Sequence, residues 1–351
     1  AKRYQGDTFS ILLVYQSDQS ILDYMTKLSD KAAEYFDKQW NVSLSFGIYK
    51  IVDNSLPIRL MCDRARIVKK QIKGNSLANY AVYDDKIRLQ QREQAEIESE
   101  MNAALAKGEF LMYLQPKVDV NTGKISGAEA LVRWKHPIRG LRVPATFLDL
   151  FESNGFITKL DLYMWEEACK YLVKLREQGI DLPISVNISR IHIHNTDLVP
   201  TLLGLVEKYQ LEPRMLELEI TENLFIDDVT ELFKQMNRLK EAGFVIQMDD
   251  FGSGYSSLNM LRKAPVDVLK IDRFFLDEIM STERGKIIVE TSVRMAKQLG
   301  LIVVAEGVET KEQLEFLRGV NCDTAQGFYF SKPVPVDEFE ALLQNGTAEG
   351  N

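Results

Sequence analysis

Oxygen-bearing side chains recur at the ends of short apolar runs through the second half of this sequence. Glu129 follows Ile125-Ser126-Gly127-Ala128, Asn187 interrupts Ile184–Ile188, and Glu217, Glu219 and Glu222 punctuate Met215–Glu222. Asp249-Asp250 closes Phe244–Met248, Lys270 sits inside Val268–Ile271, and Glu306 closes Ile302–Ala305. If these runs are neighbouring strands, their ends converge on one place. Several carboxylates so gathered cannot all stay ionised without cations, and hard oxygen ligands suit Mg²⁺ or Mn²⁺. The adjacent pair Asp249-Asp250 suits two metals about 3.5–4 Å apart that clamp both oxygens of an in-line phosphoryl displacement. Any one acid after a strand also serves as the N-cap of the next helix, so the set carries the reading rather than a member. Glu217 and Glu222 are the two most easily returned to structure. An Asn or Lys inside a strand-like run is costly without a partner, which favours function for Asn187 and Lys270.

Other chemistries find less support. His136, His192 and His194 lack the HExxH form and a matched third ligand, and read as surface or loop histidines. No GxSxG elbow accompanies a usable His. The segment Asp250–Ser257, with Gly252 and Gly254, reads as a loop able to move beside the acid pair.

The elements that must position these groups follow from the rhythm of the chain. From about residue 108 to 343, apolar runs rich in β-branched residues alternate with helical patterns such as Leu160–Glu177 and Lys286–Gln298. Repeated strand–helix alternation over this length predicts an α/β fold, a (β/α)8 barrel whose acids meet at the mouth. No GxGxxG follows an early strand, which disfavours dinucleotide binding. Before it, the first 83 residues read as a smaller α+β unit. Phe9–Tyr15 suits a buried strand, and Leu22, Met25, Leu28 and Ala32 mark a helix. Val42, Leu44, Phe46 and Ile48 alternate as a strand, and Pro57 opens a helix bearing Leu60, Met61, Ala65, Val68 and Ile72. Residues 84–107 predict a connecting helix with Gly108 at its C-cap.

At 351 residues, with 45% hydrophobic and 27% charged side chains, the composition is that of a globular chain of two domains. A net charge of −8 predicts a surface that repels duplex nucleic acid. Cys62, Cys169 and Cys322 are odd in number and form no CxxC pair, which points to a reducing cytoplasm. No run approaches the roughly 20 apolar residues of a membrane span. The start is neither Met nor a signal peptide, so the expectation is a piece of a longer protein with a sensor or membrane anchor upstream.

The motifs resemble a known family. Glu129-Ala130-Leu131-Val132-Arg133 is similar to the signature of EAL-type cyclic di-GMP phosphodiesterases. The likeness continues in family order through Leu114–Lys117, Val186–Ser189, Glu217–Glu222, Asp249–Ser257, Leu269–Asp272, Glu306–Glu309 and Gln326–Phe328. The resemblance implies a modified TIM barrel over residues 108–346, followed by a short tail at 347–351, that cleaves cyclic di-GMP to linear pGpG with two Mg²⁺ or Mn²⁺ ions. It implies Glu129, Asn187, Glu219 and Asp249 as ligands of one metal, with Asp249 and Asp250 serving the second. Lys270 is then the residue that holds and polarises the attacking water, and Glu306 completes that network. Gln115, Arg133 and Gln326 match substrate-contacting positions, Glu222 the anchor of the mobile loop, and a homodimer through the barrel is implied. Degenerate members that only bind the nucleotide usually lose some of these acids, whereas all are present here, which places the enzyme ahead of a silent receptor or scaffold. The amino-terminal unit resembles the second part of a GGDEF cyclase domain. Gln5 stands for a glycine of that signature and Thr8 for its glutamate, which implies an inactive, regulatory module.

Overall fold

A computed structural model of the chain describes residues 2–5, 8–35, 44–72, 79–193, 195–225, 229–252, 261–273, 276 and 282–345. The expectations placed on Gly6-Asp7, Val42, His194, Ser253–Ser257 and the 347–351 tail lie outside them. The chain divides into two units, Ala1–Ser99 and Glu100–Asn351.

In the second unit eight strands close on themselves: β1 (Phe110–Asp119), β2 (Ile125–His136), β3 (Ile184–Asn187), β4 (Leu216–Thr221), β5 (Ile246–Phe251), β6 (Val268–Ile271), β7 (Ile302–Ala305) and β8 (Thr324–Ala325). From β2 to β8 neighbours run parallel, whereas β1 is antiparallel to both β2 and β8. The local cause is the β1–β2 connection. Asp119 Oδ1 accepts from the backbone of Asn121 and Thr122, and Gly123 takes φ +67°, a turn too short for a crossover helix. The barrel is therefore the expected one with its first strand reversed.

Helices Ile157–Glu177, Leu198–Lys208, Val229–Glu241, Glu283–Gln298 and Lys311–Gly319 cover the outside. Leu160, Met164, Ala168, Leu172 and Leu175 recur on the buried face of the first. Thr282 caps Glu283–Gln298, and Thr310 with Gln313 forms a capping box for Lys311–Gly319. On β4, Leu216, Leu218 and Ile220 are fully buried. The period of two then turns Glu217 and Glu219 to the opposite face, so the barrel interior is polar.

Two histidines correct the expectation of surface positions. His136 and His192 are buried. His136 ends β2, where its Nδ1 accepts from the backbone of Ile138 and Arg139 and its Nε2 meets Glu100 at 2.8 Å. His192 packs on Trp165 at 4.8 Å. Flat rings with two polar tips fit such junctions, and the HIH spacing by itself does not reveal them.

In the first unit, helices Asp18–Tyr35 and Ile58–Ile72 form as expected, with a parallel pair Phe46–Ile48 and Tyr80–Val82. A Cβ on Gly47 would meet the Ala65 carbonyl at 1.9 Å, so the close approach of strand to helix requires glycine there. The predicted strand Phe9–Tyr15 shrinks to Thr8–Ser10, paired with Lys2–Gln5. Leu12 and Val14 are 81% and 87% exposed, because no described strand or helix covers them. Helix Asp85–Ala106 fills the predicted connector, and Gly108 ends it at φ +68°.

Candidate active site

Side chains inside the barrel form two polar tiers. Lys117, Ser185, Glu217 and Gln247 make the lower one. In it, Lys117 Nζ donates to Ser185 Oγ at 2.7 Å and to Gln247 Oε1 at 3.0 Å. One pleat toward the mouth lie Glu129, Asn187, Glu219, Asp249 and Lys270, with Glu306 just past β7. Glu129 is thus inside β2, not beyond its end, because β2 continues to His136 in pairing with β1.

Lys270 is the hub. Its Nζ lies 2.6 Å from Glu219 Oε2, 2.6 Å from Glu306 Oε1, 3.1 Å from Asp249 Oδ1 and 3.6 Å from Glu129 Oε2, with no solvent exposure of the residue. Burial alone would release its proton, but the surrounding carboxylates push its pKa well up, so it stays an ammonium. Burial would likewise raise Glu219; Lys117 and Lys270, one at each oxygen, override it and hold this acid at about 2. Glu129 is pushed up by burial and by Glu219, and Glu306 well up by burial and by Asp249 against the pull of Lys270. Asp250, at φ +59°, rises to about 6 through burial and the charges of Asp249 and Asp272.

These shifts describe an excess of negative charge. Glu129, Glu219, Asp249, Asp250 and Glu306 face two ammonium groups, and one oxygen from each of Asp249, Asp250 and Glu306 falls within 4.8 Å of the others. All donors are oxygens, so the residues fit a hard divalent cation such as Mg²⁺ or Mn²⁺. Asn187 Nδ2 sits 3.4 Å from Glu129 Oε1, at the edge of the group. Glu222 is buried beside the mouth, and its Oε2 accepts from the Gly252 backbone at 2.7 Å, where the expected loop departs.

A cavity of about 270 Å³ opens over the cluster, lined by Gln115, Glu129, Asp249, Glu306, Gln326 and Phe328 among others. Gln326 Nε2 donates to Glu129 Oε2 at 2.6 Å and to Gln115 Oε1 at 3.0 Å, while its own Oε1 is buried without a partner among the described residues. A buried unpaired carbonyl is costly, so this acceptor suits a donor that arrives with a ligand. Arg133 does not line the cavity. It stands four residues beyond Glu129 on β2, with its guanidinium 5.6 Å from the Tyr113 ring.

A model of the EAL domain matches residues 98–333. The chain belongs to the EAL domain family. Over 97% of its length it is 32% identical to the cyclic di-GMP phosphodiesterase NbdA of Pseudomonas aeruginosa, covering 44% of that protein. It is 34% identical over 99% of its length to the Synechocystis protein sll1895, covering 50% of it. The structure described as the PaMucR phosphodiesterase in complex with c-di-GMP superposes with a TM-score of 0.67 and 36% identity, covering 70% of this chain and 99% of that one. The chain spans about half the length of the curated relatives it matches. In this EAL domain, sequence reasoning overlooked Lys117, Ser185 and Gln247 of the lower tier and the rim residues Arg273 and Glu309, which pair at 2.9 Å beside the cavity. Lys117 carried a usable signal: a cation alternating with Gln115 inside an apolar run.

Proposed function

We propose that this chain hydrolyses one phosphodiester of cyclic di-GMP to linear 5′-pGpG, using Mg²⁺ or Mn²⁺ at two positions. The observation that carries this reading is Lys270, an ammonium at the centre of a carboxylate group that opens into a polar cavity. Water attacks phosphorus, the P–O3′ bond breaks and the ring opens, and the single linear product carries a 5′-phosphate at one end and the newly protonated 3′-hydroxyl at the other. The divalent cations supply Lewis acidity that makes water a nucleophile near neutral pH. Glu129, Asn187, Glu219, Asp249 and Asp250 hold them. Lys270 orients the attacking water, and Glu306, 2.6 Å from its ammonium, fixes that arrangement. Gln326 offers its unpartnered Oε1 to a donor on the nucleotide, Gln115 positions that amide, and Arg133 receives phosphate at the outer rim.

The amino-terminal unit, residues 1–83, is in this reading a partial, inactive GGDEF-like module that regulates, joined by residues 84–107 to the barrel at 108–346. The barrel forms a homodimer, and the reaction takes place in the cytoplasm, in keeping with free Cys62, Cys169 and Cys322. No helix among the described residues is long and apolar enough to cross a membrane.

Chromatography of cyclic di-GMP incubated with the protein and Mg²⁺ or Mn²⁺ is expected to show pGpG, and Glu129→Gln to abolish it. Nucleotide binding with no product above that variant would convert the protein into a receptor. A second expectation concerns the loop. Removing the Glu222 carboxylate takes this acceptor from the Gly252 amide, so Glu222→Ala should weaken Mn²⁺ binding by about 10-fold or more, or weaken dimer formation. Titration with Mn²⁺ and sedimentation measure both, and parent values in each together with full activity would remove Glu222 from the role.

A further inference from the structure

Beneath the acid cluster, Lys117 crosses the barrel. It projects from β1, and its ammonium meets acceptors on three strands opposite: Ser185 Oγ on β3 at 2.7 Å, Glu219 Oε1 on β4 at 2.9 Å and Gln247 Oε1 on β5 at 3.0 Å. An ammonium has three N–H donors, and all three are used. Gln247 in turn donates to Glu217, which closes the lower tier into a network. Lys117 is only 3% exposed and is absent from the cavity lining, so it touches neither substrate nor solvent.

The geometry points to Lys117 as a positioning residue for the reaction proposed above: by taking Glu219 Oε1 from below, it turns Oε2 upward to Lys270 and so sets the frame in which Lys270, Asp249 and Glu306 stand. This inference rests on that functional reading. The chain of contacts is continuous. Lys117 binds one oxygen of Glu219, Lys270 the other at 2.6 Å, and Lys270 reaches Glu306 and Asp249 at 2.6 and 3.1 Å. Without the lower ammonium, Glu219 Oε1 loses its cation while Oε2 stays tied to Lys270, so the carboxylate and the Lys270 head shift together. Groups that orient metal-binding or catalytic side chains typically matter by about 10–100-fold when removed, although they touch no substrate. A plain structural role would differ: Lys117 would then only neutralise a buried carboxylate, and its loss would lower thermal stability alone.

The test compares Lys117→Met, which keeps the length of the side chain, with Val293→Ala, which removes buried packing on the outer helix Glu283–Gln298 and touches neither tier. Each chelator-treated protein is titrated with Mn²⁺ by electron paramagnetic resonance below its melting temperature, and kcat and KM are then measured with cyclic di-GMP. Lys117→Met should lose about 10–100-fold in Mn²⁺ affinity and kcat with KM little changed, while Val293→Ala loses stability and keeps both near the parent. Parent-like Mn²⁺ binding and kcat in a folded Lys117→Met protein would overturn the assignment, as would an equal loss in Val293→Ala. If Lys117→Met does not fold, Ser185→Ala, which removes one of the three acceptors aiming the ammonium, should still show a several-fold loss of Mn²⁺ affinity, and parent affinity there overturns the assignment. If the parent itself makes no pGpG, the functional reading fails, yet the Mn²⁺ titrations still decide the positioning role.

Discussion

Lys270→Ala is expected to lower turnover on the order of 10²–10³-fold while nucleotide binding remains measurable, because the ammonium acts on water and on charge developing at phosphate rather than on the bases. A second effect follows from its surroundings. Glu219, Glu306, Asp249 and Glu129 lie within 3.6 Å of Nζ, and removing their shared cation leaves buried carboxylates uncompensated. Breaking a buried pair in this way typically costs about 3–5 kcal/mol, so the metal-free variant should melt earlier than the metal-free parent. Divalent cations should then stabilise the variant more than the parent, since they replace a lost charge and meet no ammonium in their way. Steady-state kinetics, nucleotide titration and melting curves with and without Mn²⁺ read these three outcomes. A loss of binding equal to the loss of turnover would contradict a role on the water, and equal metal stabilisation in both proteins would contradict the charge argument.

The acids at the mouth were legible in the sequence because a polar residue inside a strand-like run costs free energy unless the fold brings it a partner or a ligand. Asn187, Asp249, Lys270 and Glu306 lie at or near the strand ends that the rhythm predicts. Glu129 lies one step from its expected place, within a strand and not beyond one, since the antiparallel β1 that prolongs β2 to His136 is a tertiary fact. Lys117 escapes notice as a working group, and Glu217 reads as merely structural, for a related reason. A period of two tells which residues share a face, but not that this face looks into a barrel filled with polar groups instead of the usual branched apolar ones. Phe9–Tyr15 shows the opposite error. Apolar content makes a segment fit for burial, yet burial requires a covering layer, and Leu12 and Val14 lack one among the described residues. Arg133 shares the face of Glu129 about 13 Å further along the strand, with its guanidinium beside Tyr113 and outside the cavity lining.

Divalent-cation affinity is expected to climb as pH rises through about 6, with protons released on binding. Asp250 is displaced upward to about 6 by burial and by Asp249 and Asp272, and ligand carboxylates must give up their protons to bind a cation. Glu129 and Glu306 are displaced in the same direction, so they add to the release. Stability without metal moves the other way. A carboxyl whose folded pKa exceeds its unfolded one binds its proton more tightly in the native state, so the stability Asp250 contributes in acid is lost between its ordinary 3.8 and about 6. Glu219, held at about 2, opposes this only lower down: its contribution is complete above its ordinary 4.5 and disappears as pH falls toward 2. Above pH 4.5 the upward-shifted acids therefore dominate, and the gap between metal-free and Mn²⁺-loaded melting temperatures should widen from about pH 5 to about pH 7. Calorimetric titrations in two buffers of different ionisation enthalpy count the protons directly. Affinity that is flat across that window, with no proton release, would mean that the ions bind away from Asp249, Asp250 and Glu306.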